Sequence, residues 1–145
     1  MRRSSRFEML LKLEEAKERD EAKKFAEQRR ILNERRLKLS ELEGYLGEYE
    51  VRFTDLSRSG VQVAQLRAGY AFIGQLNDAI SQQRQSILEG ERYVEEYRQY
   101  WLEAKRRVDI LQKTMDRMLE EELEKDKRKE QSLADEAARQ KFHRS

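Results

Sequence analysis

The fold of this chain is decided by residues 46–73, which read LGEYEVRFTDLSRSGVQVAQLRAGYAFI. Two apolar series, each with a spacing of seven residues, meet on either side of Gly60. A sustained seven-residue repeat makes a helix wind around a partner helix. The two halves of the chain are therefore predicted to pair with each other. The first series is Leu11, Glu18, Phe25, Leu32, Leu39, Leu46 and Phe53, and the second is Leu66, Ile73, Ile80, Ile87, Val94, Trp101, Val108 and Met115.

This pattern predicts an all-α fold, a long antiparallel two-helix coiled-coil hairpin with a C-terminal helical overhang, as a single domain over 1–145. Helix one is expected over 5–56, a turn over 57–62 and helix two over 63–142. Ser59 and Gly60 are expected to form the hairpin turn, because glycine readily adopts the left-handed conformation that ends a helix. Ser4 or Ser5, with Glu8, is a weak capping box for helix one. The overhang is expected to begin after Met118 and to fray until a partner orders it.

The antiparallel arrangement allows one register to be proposed, in which Phe53 faces Gly69 and Leu32 faces Gly90. Large side chains then meet small ones, as close packing requires. The same register places Glu18 opposite Ala104 and Arg36 near Arg84, and a shift by one heptad stays open. It also brings Arg29 near Glu91 and Glu15 near Lys105. The end away from the turn is expected to be looser, because its second seam positions are Glu14, Glu21, Gln28 and Arg35.

The composition limits the protein classes that the chain can belong to. Of its 145 residues, 41% are charged and 37% are hydrophobic, and there is neither proline nor cysteine. These values exclude a sizeable globular core and disulfides. No secretory signal or membrane-spanning segment is recognised, so a cytoplasmic protein is expected. The net charge of +2, with both signs interleaved, argues against a dedicated nucleic-acid binder.

Residues for catalysis, cofactor binding or metal binding are not found in a useful pattern. His143 is the single histidine and is interpreted as a solvated residue near the chain end. Residues 69–74 have the glycine spacing of a phosphate loop, but Gln75 follows where lysine is required. An enzyme is therefore not expected, and no cofactor or metal is predicted.

One edge of the predicted coiled coil carries apolar and aromatic side chains instead of charges. These side chains either extend the buried seam or form a docking surface for a partner. The edge comprises Leu10, Ile31, Tyr45, Phe72, Ala79, Tyr93 and Tyr100. Near the turn the stripe is densest, with Leu42, Tyr45, Tyr49, Phe72, Leu76 and Ala79.

At these residues the chain resembles the FliJ family, the small coiled-coil proteins of the bacterial flagellar type III export apparatus. The resemblance covers nearly the whole length. It depends on Arg6-Phe7 before Leu10-Leu11, on Leu42-x-x-Tyr45-x-x-x-Tyr49, on Tyr70-x-Phe72-x-x-x-Leu76-x-x-x-Ile80-x-x-Gln83 and on Trp101.

The resemblance implies a stalk-like protein that inserts into the hexameric flagellar export ATPase through the open end of the hairpin. It implies that the protein contacts the cytoplasmic domain of the export-gate membrane protein and escorts export chaperones during flagellum assembly, on which motility and chemotaxis depend. A monomer when free, peripheral at the cytoplasmic face of the membrane, is expected. Carried over to this chain, the gate-contact residues are Leu42, Tyr45, Tyr49, Phe72, Leu76, Ala79 and Gln83.

Three alternatives stay open from the sequence. The first is the equivalent stalk protein of a virulence-type secretion system. The second is a generic coiled-coil adaptor or tether. The third is a binder of RNA or of a membrane surface, which would use the arginines of helix one; the interleaved glutamates weaken this alternative, because phosphate binding rewards surfaces of one sign.

Overall fold

The computed structural model describes residues 2–60 and 62–144 and contains two helices, α1 (Arg3–Arg58) and α2 (Val63–Arg144). The helices pack against each other as a helical hairpin, which confirms the predicted fold class. Helix α1 extends two residues further at each end than the sequence pattern indicated; α2 begins at the predicted residue and ends two residues later, since helix ends are weakly specified by composition. Val61, which the pattern placed in the turn, lies outside the described residues.

The turn is closed by hydroxyl groups and one glycine. Ser59 donates its side-chain hydroxyl to the carbonyl oxygen of Leu56 at 2.8 Å, and Ser57 donates to that of Phe53 at 3.0 Å. The carbonyl oxygen of Leu56 also accepts the backbone N–H of Ser59 at 3.1 Å, so the hydroxyl groups are additional donors to the last turns of α1. Gly60 has a φ of 79°, the left-handed conformation that the sequence predicted for it.

Contacts divide the chain into two compact units, and the first, Glu21–Tyr100, contains the turn. Its core consists of seam residues that include Leu32, Leu76, Ile80 and Ile87. The ring of Phe53 lies over Gly69, and the side chain of Leu32 lies over Gly90. Both pairs match the proposed register, so the large-to-small pairing in the sequence located it correctly.

The charges beside this seam pair differently from the simple register. That register set Arg36 against Arg84, a repulsive arrangement. Instead, Arg36 reaches Glu91 at 3.5 Å, and Arg84 reaches Glu43 at 3.3 Å. Arginine side chains are long enough to bridge to the next turn, and both cations are thereby neutralised.

The second unit comprises Met1–Asp20 and Trp101–Ser145. Leu11 and Ala104 are buried here. The register set Glu18 opposite Ala104; the hydrogen-bond partner of Glu18 across the seam is Trp101, whose indole Nε1 donates to its carboxylate at 2.7 Å. The reason is chemical, because a carboxylate needs a donor, which the methyl group of alanine cannot supply.

The start of α1 corrects two further expectations. Since α1 begins at Arg3, Ser4 lies inside its first turn and is not a cap. Its hydroxyl donates to Glu122 at 2.8 Å, its backbone N–H donates to the same carboxylate at 3.3 Å, and Arg2 lies 3.2 Å from Asp126. The overhang therefore does not begin after Met118: among the described residues, Ser4 of α1 binds Glu122, and Arg2, just before α1, binds Asp126. Beyond it, α2 stays helical to Arg144.

Candidate partner-binding surfaces

The predicted stripe near the turn divides between exposed and buried side chains. Tyr45 is 57% exposed and Phe72 is 40% exposed, whereas Leu76 is only 9% exposed and belongs to the core. The surface that a partner can touch is therefore centred on Tyr45 and Phe72. The half-buried members of the stripe are Leu42, Tyr49 and Ala79, and Gln83, the further gate-contact residue that the resemblance implied, is half-buried as well.

Aromatic rings from both helices pack together beside the turn. The ring centroids of Tyr49 and Phe72 are 4.3 Å apart with an interplanar angle of 36°. Those of Phe53 and Tyr70 are 4.6 Å apart at 62°. Such pairs add about 0.5–1.5 kcal/mol beyond the area that they bury. The ring of Phe72 is thus held in place by Tyr49 while part of it stays accessible to a partner.

A groove of about 430 Å³ adjoins these rings. The absence of a side chain at Gly69 makes room for the ring of Phe53 in its floor. Sequence reasoning did not assign Arg52, Gln65 or Ala68 to this surface. Helical spacing could have found them, since each lies three, four or seven residues from Tyr49 or Phe72. The lining residues are Tyr49, Arg52, Phe53, Leu56, Gln65, Ala68, Gly69 and Phe72.

Gln83 takes part in a contact between the helices. Its side-chain Nε2 donates to the backbone carbonyl oxygen of Arg35 at 2.8 Å. In return, Nη1 of Arg35 donates to the backbone carbonyl oxygen of Ser86 at 2.7 Å. The structure therefore brings together Gln83 and Arg35 across the seam, a pairing that the family resemblance did not suggest.

A second candidate surface lies at the open end, where the seam face of α1 is acidic. Glu14 and Glu18 are half-buried. Glu18 bonds to Trp101, and the amine of Lys105 lies 5.3 Å from the centre of the Trp101 ring. Oε1 of Glu14 pairs with Lys17 at 3.3 Å. Its Oε2 is buried without a hydrogen-bond partner among the described residues, so this part of the seam is not fully satisfied.

The C-terminal part of α2, residues 127–144, is helical and exposed at every position. Its large apolar side chains, Leu133 and Phe142, are among the most exposed in the chain. It also carries lysine, arginine and glutamate side chains in alternation. A helix with this little burial gains stability chiefly when a partner covers it.

Two tyrosines of the predicted edge form the same contact one heptad apart. The hydroxyl of Tyr93 donates to Glu89 at 3.0 Å, and that of Tyr100 donates to Glu96 at 2.7 Å. The hydrogen bond to each carboxylate raises the pKa of Tyr93 and the pKa of Tyr100, because it favours the protonated phenol and the negative carboxylate opposes a phenolate. Both rings keep an accessible face, at 40% and 46% exposure.

The arginines of α1 are not presented as a surface of one sign. Arg30 pairs with Glu27 and Glu34, and its hydrogen bond to Glu27 raises the pKa of Arg30 and lowers the pKa of Glu27. Arg36 pairs with Glu91. Each of these cations faces a carboxylate, which weakens the alternative of binding to nucleic acid or to an anionic membrane surface.

Within residues 2–60 and 62–144, no helical stretch is both apolar enough and long enough to cross a bilayer. In the same part of the chain, histidine and acidic side chains do not gather into a group that could hold a metal ion.

A family model described as the flagellar FliJ protein matches residues 3–145. The chain belongs to the FliJ family. This confirms the resemblance drawn from its residues and makes the chain a component of the flagellar export apparatus. FliJ proteins are non-catalytic components, in keeping with the sequence expectation. No curated protein and no solved structure matches the chain.

Proposed function

We propose that this FliJ protein is a cytoplasmic stalk that links the hexameric export ATPase to the export gate. The stripe beside the turn contacts the cytoplasmic domain of the gate protein, and the open end with residues 127–144 binds the ATPase ring. Export chaperones are further partners during flagellum assembly. The protein is a monomer when free and becomes peripheral to the membrane through the gate, without inserting into the bilayer or binding nucleic acid.

The observation that carries the gate contact is the position of Tyr45 and Phe72. Both rings are exposed to solvent, Phe72 is steadied by Tyr49, and a groove adjoins them. Exposed, ordered aromatic side chains are the residues that most often contribute binding energy at protein interfaces. Because these rings are partly exposed and lie outside the innermost seam, removing them should weaken partner binding more than it lowers folding stability.

The double substitution Tyr45→Ala with Phe72→Ala tests this contact. Binding to the gate domain is expected to weaken by about 2 kcal/mol or more, the loss typical of an interface hot spot. Thermal unfolding should move only slightly, because the ring contact of Phe72 with Tyr49 is the main interaction removed. Isothermal titration with the gate domain and melting by circular dichroism provide the two measurements.

Leu37→Ala with Val51→Ala is the matched control, since both side chains are exposed and lie away from the stripe. This control should bind the gate domain like the parent. Unchanged gate binding in the Tyr45→Ala, Phe72→Ala variant would show that the stripe has no role in docking, and the adaptor alternative would then gain.

The support for ATPase binding is the part of α2 beyond Asp126, which is exposed at every described position. A truncation should stop after Asp126, because Glu122 and Asp126 hold the start of α1. Loss of residues 127–144 is expected to reduce ring binding and the stimulation of ATP hydrolysis, while the pairing of Ser4 with Glu122 is kept.

The truncation and the Tyr45→Ala, Phe72→Ala variant are controls for each other. The truncated chain should retain gate binding, and the double variant should retain ATPase stimulation. Full stimulation by the truncated chain would contradict the assignment of this helix to the ring.

A further inference from the structure

The strongest unassigned feature is a cluster in the seam of the Glu21–Tyr100 unit, formed by Arg35, Gln83, Ser86 and Gly90. Arg35 donates to the backbone carbonyl oxygen of Ser86 at 2.7 Å, and Gln83 donates to that of Arg35 at 2.8 Å. Each helix thus supplies one polar side chain that binds the backbone of the other. Leu32, Ile80 and Ile87, which are buried, belong to the same apolar seam.

Gly90 provides the space that this arrangement needs. A Cβ atom at this position would lie 3.1 Å from Nη1 of Arg35 and 3.1 Å from Cδ1 of Leu32. The guanidinium group of Arg35 therefore reaches α2 only where α2 has no side chain. We call Arg35, Gln83 and Gly90 the seam clasp.

On α2, the residues seven positions before and after Gly90 are not glycine, so the clasp fits at only one of these three registers. A shift of α2 by seven residues would replace Gly90 with Gln83 or with Tyr97. Either side chain would fill the space that Arg35 occupies. Arg35 and Gln83 would then lie in an apolar seam without their present acceptors, and buried polar groups without partners are costly. A single polar seam residue can fix the register of a coiled coil in this way.

The same register sets the geometry at the turn. Three heptads separate Gly90 from Gly69 on α2, and three heptads separate Leu32 from Phe53 on α1; Leu32 lies over Gly90, and Phe53 lies over Gly69. A shift of register at the clasp would therefore also remove Gly69 from its position beneath the ring of Phe53. The contact between the rings of Tyr49 and Phe72, whose centroids are 4.3 Å apart, would also be lost.

We propose that the seam clasp fixes the hairpin register and thereby assembles the docking stripe, so that Arg35, Gln83 and Gly90 are positioning residues and Gln83 is not a contact residue. The register part stands on the structure alone, and the link to docking rests on the proposed gate contact. The role of Gln83 is thus to hold α1 in place while Tyr45 and Phe72 meet the partner.

The double substitution Arg35→Leu with Gln83→Leu tests the clasp in the full chain. Leucine suits the seam, so the helix content and the melting temperature should stay the same or rise. The register, in contrast, should become mixed. Because the chain has no cysteine, nitroxide labels can be attached at Ser40→Cys and Arg92→Cys, and their separation can be measured by double electron–electron resonance. A shift of one heptad changes the axial offset of the two labels by about 10 Å.

The expected result is one distance peak for the labelled parent and a second population for the clasp variant, displaced in proportion to that offset. Gate binding should fall in proportion to the shifted fraction, since only the native register carries the stripe. Gln28→Leu is the matched control, because it also replaces a polar seam residue of α1 with leucine, outside the clasp. It should keep the single peak. Gln83→Met, which removes only the amide with little change in volume, provides a second and milder variant.

The outcomes separate this inference from the proposed function. A single parental peak in the clasp variant and in Gln83→Met overturns the clasp. Weaker gate binding with that single peak shows that Gln83 touches the partner directly, which also overturns it. A shifted register with full gate binding leaves the clasp as the determinant of register and overturns the docking stripe.

Discussion

The two units of the hairpin both place polar side chains in the seam, but among the described residues a buried side-chain atom without a hydrogen-bond partner is found in only one of them. In Glu21–Tyr100, Arg35 and Gln83 each bind a backbone carbonyl oxygen of the opposite helix. In the unit at the open end, Oε2 of Glu14 is buried without a partner among the described residues. A polar side chain in the seam thus forms a hydrogen bond to the opposite helix in one unit and leaves a buried oxygen without a partner in the other.

The difference comes from what α2 offers at each place. Gly90 makes room for a long cation and leaves backbone oxygens within reach. At the open end, the indole N–H of Trp101 is a single donor, and Glu18 takes it. A carboxylate is an acceptor only and cannot bond to backbone carbonyls. A cation in a seam can therefore be satisfied by the opposite helix, whereas several carboxylates there compete for few donors.

The largest expected effect concerns the apolar seam of the Glu21–Tyr100 unit. Ile80 is 4% exposed, and its replacement by alanine should lower the free energy of unfolding by about 2–5 kcal/mol, through lost burial and a cavity. Leu88→Ala is the control on the same helix, because Leu88 is 53% exposed and should change stability by about 0.5 kcal/mol or less. Urea denaturation followed by circular dichroism gives both values. Equal losses in the two variants would mean that Ile80 is not part of a packed core.

A second test uses two glycines of the same unit. A Cβ atom at Gly69 would lie 2.5 Å from two ring carbons of Phe53, so Gly69→Ala should destabilise the hairpin by about 1–3 kcal/mol through overpacking, less the helix propensity gained. Gly44 has no other described atom within 4 Å of such a Cβ. Gly44→Ala should therefore stabilise by up to about 1 kcal/mol.

Comparing the two variants isolates the packing contribution, because the gain in helix propensity is common to both. The measurement is again urea denaturation. If Gly69→Ala were as stable as Gly44→Ala, the helices would have to lie further apart beside the turn than the structure shows.

The sequence predicted the helices, the turn and the register because these depend on patterns that recur along the chain. Phe53 with Gly69 and Leu32 with Gly90 are large-to-small pairs that favour the observed register, although the sequence alone left a shift by one heptad open. The left-handed Gly60 follows from backbone sterics alone. The exposure of Tyr45 also follows from its place on the edge of the seam.

Other contacts could not be predicted, because they depend on residues that are far apart in sequence and on the reach of side chains. The sequence offers Ser4 or Ser5 as the cap of α1, but Ser4 donates its hydroxyl to Glu122, 118 residues away. Glu18 bonds to Trp101, 83 residues away, because the indole N–H is a donor that the methyl group of Ala104 cannot supply. Gln83 was assigned to the docking stripe by family position, which carries no information about Arg35.

The smallest expected effect concerns Glu14, in the seam at the open end. Its replacement should raise the free energy of unfolding, whereas the replacement of Ile80 should lower it. A buried oxygen without a partner costs about 1–3 kcal/mol, and the pair of Glu14 with Lys17 contributes about 0.5 kcal/mol or less, since Lys17 is exposed and lies three residues along the same helix. Glu14→Leu should therefore stabilise the hairpin by about 1 kcal/mol, as the cost removed exceeds the ion pair lost. Glu41→Leu is the control, because Glu41 is exposed and its replacement should leave stability within about 0.5 kcal/mol of the parent. Urea denaturation measures both variants. A destabilised Glu14→Leu would mean that the carboxylate has a favourable partner, and the contrast between the two units would then disappear.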